Sequence, residues 1–99
     1  MAVYVGGQAK PEAVDPKDPQ AVTDYDFDWT DWLGTDTIAS HTVTVPSGLT
    51  KDSDSEASGV VTFFVSGGTP GKKYDVVCTV TTAGGRTDQR TMRIPVANR

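Results

Sequence analysis

The stretch Thr23-Asp24-Tyr25-Asp26-Phe27-Asp28-Trp29 alternates aromatic and acidic side chains with a period of two. Successive side chains of a β-strand point to opposite faces, so a strand here would have one aromatic face and one acidic face. A helix would scatter both sets around its axis. The pattern therefore predicts a half-buried β-strand, with Tyr25, Phe27 and Trp29 in the core and the three aspartates facing water.

The chain beyond this strand is typical of further short strands, with turn signals about every 8–12 residues. No apolar pattern of helical period and useful length occurs. We therefore predict an all-β fold, an immunoglobulin-like antiparallel β-sandwich of about seven short strands over residues 21–99. The predicted strands after the first are 36–45, 49–53, 60–65, 73–82 and 86–96. In the last two we predict that Tyr74, Val76, Cys78 and Val80 face inward and that Met92, Ile94 and Val96 form the apolar side.

Three local patterns refine this prediction. Thr30 is in place to cap a single helical turn that Gly34 would end, and Trp32 in this segment could seal one end of the core. Residues 60–65 are nearly continuous in apolar side chains, which predicts a strand buried on both faces. The polar run 54–59 is interpreted as a turn.

Residues 1–20 have a different composition from the rest. Each proline disfavours helix at the residue before it, so we predict an extended N-terminal arm over residues 1–20. Within it, Val3-Tyr4-Val5 could pair as an edge strand, on its own domain or on another subunit, or the terminus could stay undocked. The arm carries three proline pairs: Lys10-Pro11, Asp15-Pro16 and Asp18-Pro19.

Length and composition bound the class of protein. Ninety-nine residues allow one domain, and no apolar run reaches the ~20 residues that span a bilayer. The start lacks the charged and long apolar regions of a signal peptide. Cys78 is the only cysteine, so no intrachain disulfide can form, and we interpret it as a small buried hydrophobe rather than a reactive thiol. The missing disulfide favours synthesis in the cytosol.

The net charge of −4 hides an asymmetry. Residues 1–56 hold eleven acidic and three basic residues, whereas residues 57–99 hold two acidic and six basic ones. Either the two halves pair within one sandwich, or the surface is polarised and orients docking to a partner or to a second copy. The acidic total argues against sequence-independent binding to nucleic acid.

The side chains that could hold a metal ion do not form a recognisable set. His41 is the only histidine, and it alternates with apolar residues, which indicates a packed or half-exposed strand position. The acidic run 52–56 resembles a calcium loop, but the sixth and twelfth positions from Asp52 hold Ala57 and Phe63 instead of glycine and glutamate. We predict no cofactor and no metal, with a looser surface Ca²⁺ site on 52–56 left open.

Catalysis is not predicted either. Asp26 and Asp28 would lie ~6–7 Å apart on one strand face, a spacing compatible with a glycosidase, but so short a chain leaves little to build a sugar cleft. We predict that the protein is not an enzyme. The glycine-rich run 67–73 lacks phosphate-loop spacing and is interpreted as a turn that exposes Lys72 and Lys73. An exposed Trp32 could stack on sugar rings, so a carbohydrate-binding β-sandwich module is the alternative function.

Four blocks of tryptophan and turn motifs follow one another between residues ~18 and ~94. The first comprises Asp18-Pro19-Gln20-Ala21-Val22-x-Asp24-Tyr25, Asp28-Trp29-Thr30-Asp31-Trp32-Leu33 and Asp36-Thr37-Ile38. The second comprises Thr44-Val45-Pro46-Ser47-Gly48-Leu49 and Asp52-Ser53-Asp54-Ser55. The third and fourth are Ser66-Gly67-Gly68-Thr69-Pro70-Gly71 and Thr81-Thr82-Ala83-Gly84-Gly85-Arg86-Thr87-Asp88-x-Arg90. In order and spacing, the blocks resemble the small bacteriophage proteins called fiber-tail adaptors.

The resemblance implies a structural virion protein of a tailed phage, without catalysis or cofactor, that joins a fiber or other appendage to the tail or neck. Its partners would be other tail, neck and fiber proteins, with neither nucleic acid nor membrane involved, after assembly in the bacterial host cytoplasm. Because tail structures are rings, we expect several copies. From the residues themselves we predict these partner-binding positions: Val3, Tyr4, Val5, Pro11, Pro16, Pro19, Trp32, Lys72 and Lys73.

Overall fold

A computed structural model of the chain describes residues 2–5 and 17–98. The elements are β1 (Ala2–Val5), β2 (Thr23–Asp28), α1 (Thr30–Leu33), β3 (Ile38–Thr44), β4 (Leu49–Ala57), β5 (Val60–Gly67), β6 (Lys73–Thr82) and β7 (Thr87–Pro95). The strands form a four-stranded sheet of order β1-β2-β5-β4 and a three-stranded sheet of order β3-β6-β7. The predicted all-β sandwich is confirmed.

The strand order in both sheets is that of a constant-type immunoglobulin sandwich, whose sheets are ABED and CFG. The first strand departs from that pattern, because β1 runs parallel to β2, with Tyr4 paired to Phe27 in register. The strands β2 to β7 pair antiparallel within their sheets. Val3-Tyr4-Val5 therefore pairs here as an edge strand on its own domain.

The aromatic face of β2 lies in the core, as the alternation predicts. Tyr25 and Phe27 are buried, as is Trp29 just after the strand. The Phe63 ring of β5 packs between the first two, with centroids 5.7 Å from Tyr25 and 5.6 Å from Phe27. The aspartates on the opposite face are half-buried.

The three-stranded sheet supplies the other half of the core. The side chains predicted to face inward on its last two strands are buried: Tyr74, Val76, Cys78 and Val80 on β6, and Met92, Ile94 and Val96 at β7. Val43 on β3 and Thr82 on β6 are buried as well. Burial raises the pKa of the Cys78 thiol to about 12. The thiol is therefore protonated at neutral pH, which fits the predicted role of a small hydrophobe.

Two strand predictions are wrong. Residues 60–65 are buried on one face only, because nothing among the described residues covers the outer face of the four-stranded sheet, and Phe64 is 40% exposed there. The polar residues 54–57 continue β4 up to the turn at Ser58 and Gly59. Since β4 is an edge strand with mostly exposed side chains, its polarity is compatible with a strand.

The predicted helical turn is present as α1, and Gly34 follows it with φ of 61°. The cap differs from the prediction. Thr30 does not cap the helix. Instead Asp28 Oδ1 accepts hydrogen bonds from Thr30 N at 3.0 Å and Thr30 Oγ1 at 2.7 Å. An aspartate from the acidic face of β2 thus stabilises the start of the helix.

A polar cluster joins the two sheets along the side where β3 lies next to β4. The ring of His41 contacts Asp54, with 2.9 Å between Nε2 and Oδ1. Lys51 donates from Nζ to the other carboxylate oxygen. The pKa of Asp54 is lowered, most strongly by the hydrogen bond from Lys51 and less by the one from His41.

This shift predicts acid sensitivity. A carboxylate with a lowered folded-state pKa stabilises the fold above its unfolded pKa of about 3.9, and this contribution is lost as the pH falls through the folded value. Asp54→Asn should therefore lose less stability than the wild type between about pH 5 and pH 2, measured by urea unfolding. Equal acid sensitivity in both proteins would show that Asp54 has no such role.

Candidate partner-binding surfaces

The fold places the predicted partner-binding residues at separate locations. The tryptophan end consists of α1 and the turns at 58–59 and 83–86, and it carries Trp32. The lysine end consists of residues 17–21, 45–48 and 68–73, and it carries Pro19, Lys72 and Lys73. Val3, Tyr4 and Val5 lie on β1 at a sheet edge, and Pro11 and Pro16 lie outside the described residues. The predicted residues therefore do not form one site.

At the tryptophan end, Trp32 is held from two sides. Its ring packs edge-on against Trp29, with centroids 5.3 Å apart and planes at 65°. The guanidinium carbon of Arg86 lies 4.3 Å from the centroid of the Trp32 ring, a cation–π geometry. Trp32 is thus partly buried, with the Arg86 guanidinium over its ring.

Arg86 also fixes the end of α1. Its Nη1 donates to the carbonyl of Trp32 at 3.2 Å and its Nη2 to the carbonyl of Leu33 at 3.0 Å. A helix leaves its last carbonyls without partners inside the helix, and a cation there also interacts favourably with the helix dipole. Arg86 therefore joins the β6–β7 turn to the helix.

Asp36 completes this link between distant parts of the chain. Its carboxylate accepts from the backbone N–H of Gly84 at 3.1 Å and from Nε of Arg86 at 3.3 Å. The pKa of Asp36 is lowered, most strongly by a hydrogen bond from the Thr82 hydroxyl and next by one from the Thr37 N–H. A Cβ at position 84 would lie 2.8 Å from Asp36 Oδ2, so a larger residue there would displace the Asp36 carboxylate.

A groove of about 370 Å³ opens at the tryptophan end, between α1 and the β4–β5 turn. Leu33 and Ile38 supply apolar surface, and Asp36 and Glu56 supply carboxylates. Glu56 is engaged in part, because its Oε2 accepts from Gly59 N at 3.0 Å. The groove is acidic and partly apolar, a surface suited to a basic side chain of a protein partner.

The lysine end is organised by a buried lysine. Lys17 is 2% exposed, and its Nζ donates to the carbonyls of Asp18 and Gly67, both at 2.8 Å. Burial lowers the pKa of Lys17, and Asp18 and Asp52 oppose this shift. The Lys17 backbone pairs with the end of β7. Lys17 N donates to Pro95 O at 2.8 Å, and Ala97 N donates to Lys17 O at 2.9 Å. Residues 17–21 are thus bound to the sandwich, and Pro19 lies in the turn after Lys17.

Lys72, in the loop before β6, and Lys73, the first residue of β6, are exposed, as predicted. A shallow depression of about 550 Å³ lies beside them, lined by Pro46, Ser47, Lys73, Tyr74, Asp75 and Arg93. Arg93 Nε pairs with Asp75 Oδ1 at 3.0 Å. This end therefore offers basic and prolyl surface, in contrast to the acidic groove at the other end.

Residues 2–5 and 17–98 contain no cluster of histidine, cysteine, aspartate and glutamate that could hold a metal ion. The acidic run considered for Ca²⁺ is part of β4 and not a loop. In the same part of the chain, no helix is long and apolar enough to cross a membrane.

Residues 17–95 match the family model described as Podophage GP4 fiber-tail adaptor protein gp77. The chain belongs to this family. The match confirms the resemblance seen in the sequence, and it covers the sandwich from Lys17 to the last residue of β7. No curated protein sequence matches the chain significantly. Membership in this family indicates a structural adaptor of the phage tail, which is not an enzyme class.

The blocks that carry the resemblance converge in space. Arg86 lies 54 positions from Trp32 in the sequence, yet the two are in direct contact. Sequence reasoning missed the roles of Lys17, Asp36 and Arg86. For Arg86 a signal existed, since a cation follows the glycine pair of a β-turn, but nothing local identified its partner. For Lys17 there was none, because its acceptor on Gly67 is 50 residues away.

Proposed function

We propose that this chain is a structural virion protein that joins a fiber or another appendage to the tail or neck of a podophage through protein–protein contacts alone. The family match over residues 17–95 carries the proposal. An adaptor of this kind is assembled in the bacterial host cytoplasm and acts in the finished particle, without substrate turnover.

The two ends of the sandwich support this function. An adaptor needs two contact surfaces that do not compete for the same partner. The molecule is 42 Å along its longest axis, and its ends differ in chemistry. One end has the acidic groove, Trp32 and Arg86, and the other has Lys72, Lys73 and three prolines. Electrostatic differences of this kind favour one orientation of docking over the reverse.

The arm is proposed to tether each subunit. The pairing of β1 with β2 indicates that this edge of the four-stranded sheet accepts a parallel strand. The same pairing made in trans would let Val3-Tyr4-Val5 bind a neighbouring copy or the tail ring. Several copies in a ring would each supply one arm and one acceptor edge.

The carbohydrate-binding alternative has less support from the geometry. Sugar rings stack on open aromatic faces, and the Trp32 ring carries the Arg86 guanidinium and packs on Trp29. The other aromatic side chains of β2 are buried. We therefore favour protein contact at this end.

The proposed function is tested with particles assembled without this chain. We expect tailed particles that lack the fiber, detected by mass spectrometry and electron microscopy, and we expect added purified chain to restore fiber attachment. A normal fiber content in particles without the chain would contradict the adaptor role. The sugar alternative is tested by a glycan array, where retention lost in Trp32→Ala would favour it.

A further inference from the structure

The outer face of the four-stranded sheet carries both of the large hydrophobic side chains that are exposed among the described residues. Val22 is 64% exposed and Phe64 is 40% exposed. Phe64 on β5 lies directly opposite Asp24 on β2. Extension of the β2 alternation by one residue places Val22 on the same face as Asp24, diagonal to Phe64 and about 7–8 Å from it. The two side chains therefore form one small apolar patch, the Val22–Phe64 patch.

The Val22–Phe64 patch is not part of the core between the sheets. Hydrophobic residues that are exposed singly are normal on a protein surface, but these two are neighbours on one face. The outward residues beside Phe64 are polar, with Ser53 opposite it on β4 and Thr62 and Ser66 along β5. Aromatic side chains within a polar surround are typical anchors of protein–protein interfaces. The patch therefore indicates a docking surface.

The charge beside the patch is acidic. The outward residues of β2 are Asp24, Asp26 and Asp28, and the positions of β4 and β5 that the register aligns with them hold no lysine or arginine. Asp26 accepts a hydrogen bond from Thr62, and Asp28 accepts one from Thr30. Within residues 2–5 and 17–98, the Asp24 carboxylate has no hydrogen-bond or ion-pair partner. Asp24 can therefore pair with a cation of a docked protein.

A second copy of this chain is a poor partner for the same face. A symmetric contact would bring Asp24 of both copies, and the acidic rows beside them, into one interface. Like charges that face each other across an interface disfavour association, and each copy has a net charge of −4. The patch therefore fits a positively charged partner better than a copy of itself.

We propose that Val22, Asp24 and Phe64 form a docking surface for a segment of a different protein that presents an apolar side chain beside a lysine or arginine. The apolar side chain would cover Phe64 and Val22, and the cation would pair with Asp24. The inference rests on the proposed function, which makes the fiber or the tail the source of that segment.

Thiol labelling tests whether this face is open in the free chain and covered in the complex. Cys78 is buried with a pKa of about 12, so a thiol introduced on the surface is the reactive one. Ser53→Cys places that thiol opposite Phe64, and Thr42→Cys places one on the outer face of the other sheet as a control.

Both variants of the full-length chain should be labelled fast when free. Purified fiber protein, or purified tails that lack the adaptor, should slow the labelling of Ser53→Cys by at least about tenfold when present at ten times the dissociation constant. The labelling of Thr42→Cys should not change. Slow labelling of free Ser53→Cys would overturn the proposal, because the chain itself would then cover the face.

Phe64→Ala and Thr42→Ala form the matched pair for binding. Each removes an exposed side chain from an outer sheet face, and the two faces belong to different sheets. We expect Phe64→Ala to bind one of the two probes at least about tenfold more weakly than wild type, with Thr42→Ala close to wild type. Phe64→Thr replaces Phe64→Ala if that variant does not fold, because threonine is favoured in strands.

Asp24→Asn tests the charge of the partner. We expect it to bind the same probe about threefold more weakly at low salt. The affinity of the variant should also fall less steeply than that of the wild type as the salt concentration rises. Unchanged affinity and an unchanged salt dependence would overturn the assignment of a basic partner.

The outcomes separate the two proposals. Equal binding by Phe64→Ala and wild type would overturn docking at this face and leave the adaptor function intact. Failure of the wild type to bind either probe would overturn the adaptor function itself. If Phe64→Ala lost self-association instead, measured by sedimentation, the face would bind a second copy, and our assignment of the partner would be wrong.

Discussion

Replacement of Phe27 by alanine should lower the free energy of unfolding by about 3–5 kcal/mol. Phe27 is 1% exposed and stacks on Phe63 at 5.6 Å, so its removal leaves a cavity between the sheets. Domains of this size have a total stability of about 5–15 kcal/mol. The variant should therefore be close to unfolding at 37 °C.

The matched control is the neighbouring residue on the same strand. Asp26 lies on the opposite face and accepts a hydrogen bond from Thr62 Oγ1 at 2.7 Å. Asp26→Asn keeps an acceptor oxygen and relieves repulsion along the acidic row, so we expect a change within about 1 kcal/mol. Urea unfolding followed by tryptophan fluorescence measures both variants. Similar losses in the two would contradict the assignment of an aromatic core face and an acidic outer face on β2.

The alternating pattern was sufficient for β2, β6 and β7 because each residue's face follows from its position along its own strand. A buried Tyr25 requires a buried Phe27, and the same holds for Val76, Cys78 and Val80 on β6. Such predictions need no knowledge of which strand lies beside which. They therefore identified most of the core correctly.

The two wrong strand predictions concern residues whose burial or secondary structure depends on the neighbouring strand or layer. The apolar residues 60–65 predict a strand buried on both faces, but no layer among the described residues covers the outer face, so Phe64 is left exposed. The polar residues 54–57 resemble a turn, yet pairing with Phe63, Thr62, Val61 and Val60 makes them a strand. The uncovered face decided the first case and the edge position of β4 the second, and local sequence encodes neither.

The candidate partner-binding residues also depend on distant parts of the chain, which local sequence does not reveal. Trp32 was predicted as a partner-binding residue, and it stays a prediction, but its position depends on Arg86 and Asp36 from other segments. Likewise Lys17 is buried, although lysine is among the residues most often exposed. Its burial follows from two carbonyl acceptors that only the folded chain brings together.

Arg86→Ala should lower the free energy of unfolding by about 2 kcal/mol and loosen the tryptophan end. The variant loses the hydrogen bonds to the carbonyls of Trp32 and Leu33, the contact with Asp36 and the interaction with the Trp32 ring. Arg86 is about 44% exposed in its side chain, so water partly replaces these contacts and keeps the loss well below that of a core deletion.

Arg86→Lys distinguishes geometry from charge. Lysine keeps the positive charge near Asp36 but cannot donate from a planar fork to two carbonyls while stacking on a ring. We expect it to recover less than half of the stability lost in Arg86→Ala. Tryptophan emission gives an independent measure, since Trp32 should become more solvated in both variants and shift its emission to the red. Trp32→Phe in the same backgrounds assigns the shift to that ring.

The same variants decide whether the tryptophan end acts in docking. If α1 and the groove contact a partner, Arg86→Ala should weaken binding to fiber protein or tails more than Asp26→Asn does, because it disorders the helix that forms one wall of the groove. If Arg86→Ala binds like wild type at a temperature where both are folded, this end is structural only. Docking would then involve the lysine end, whose position does not depend on Arg86.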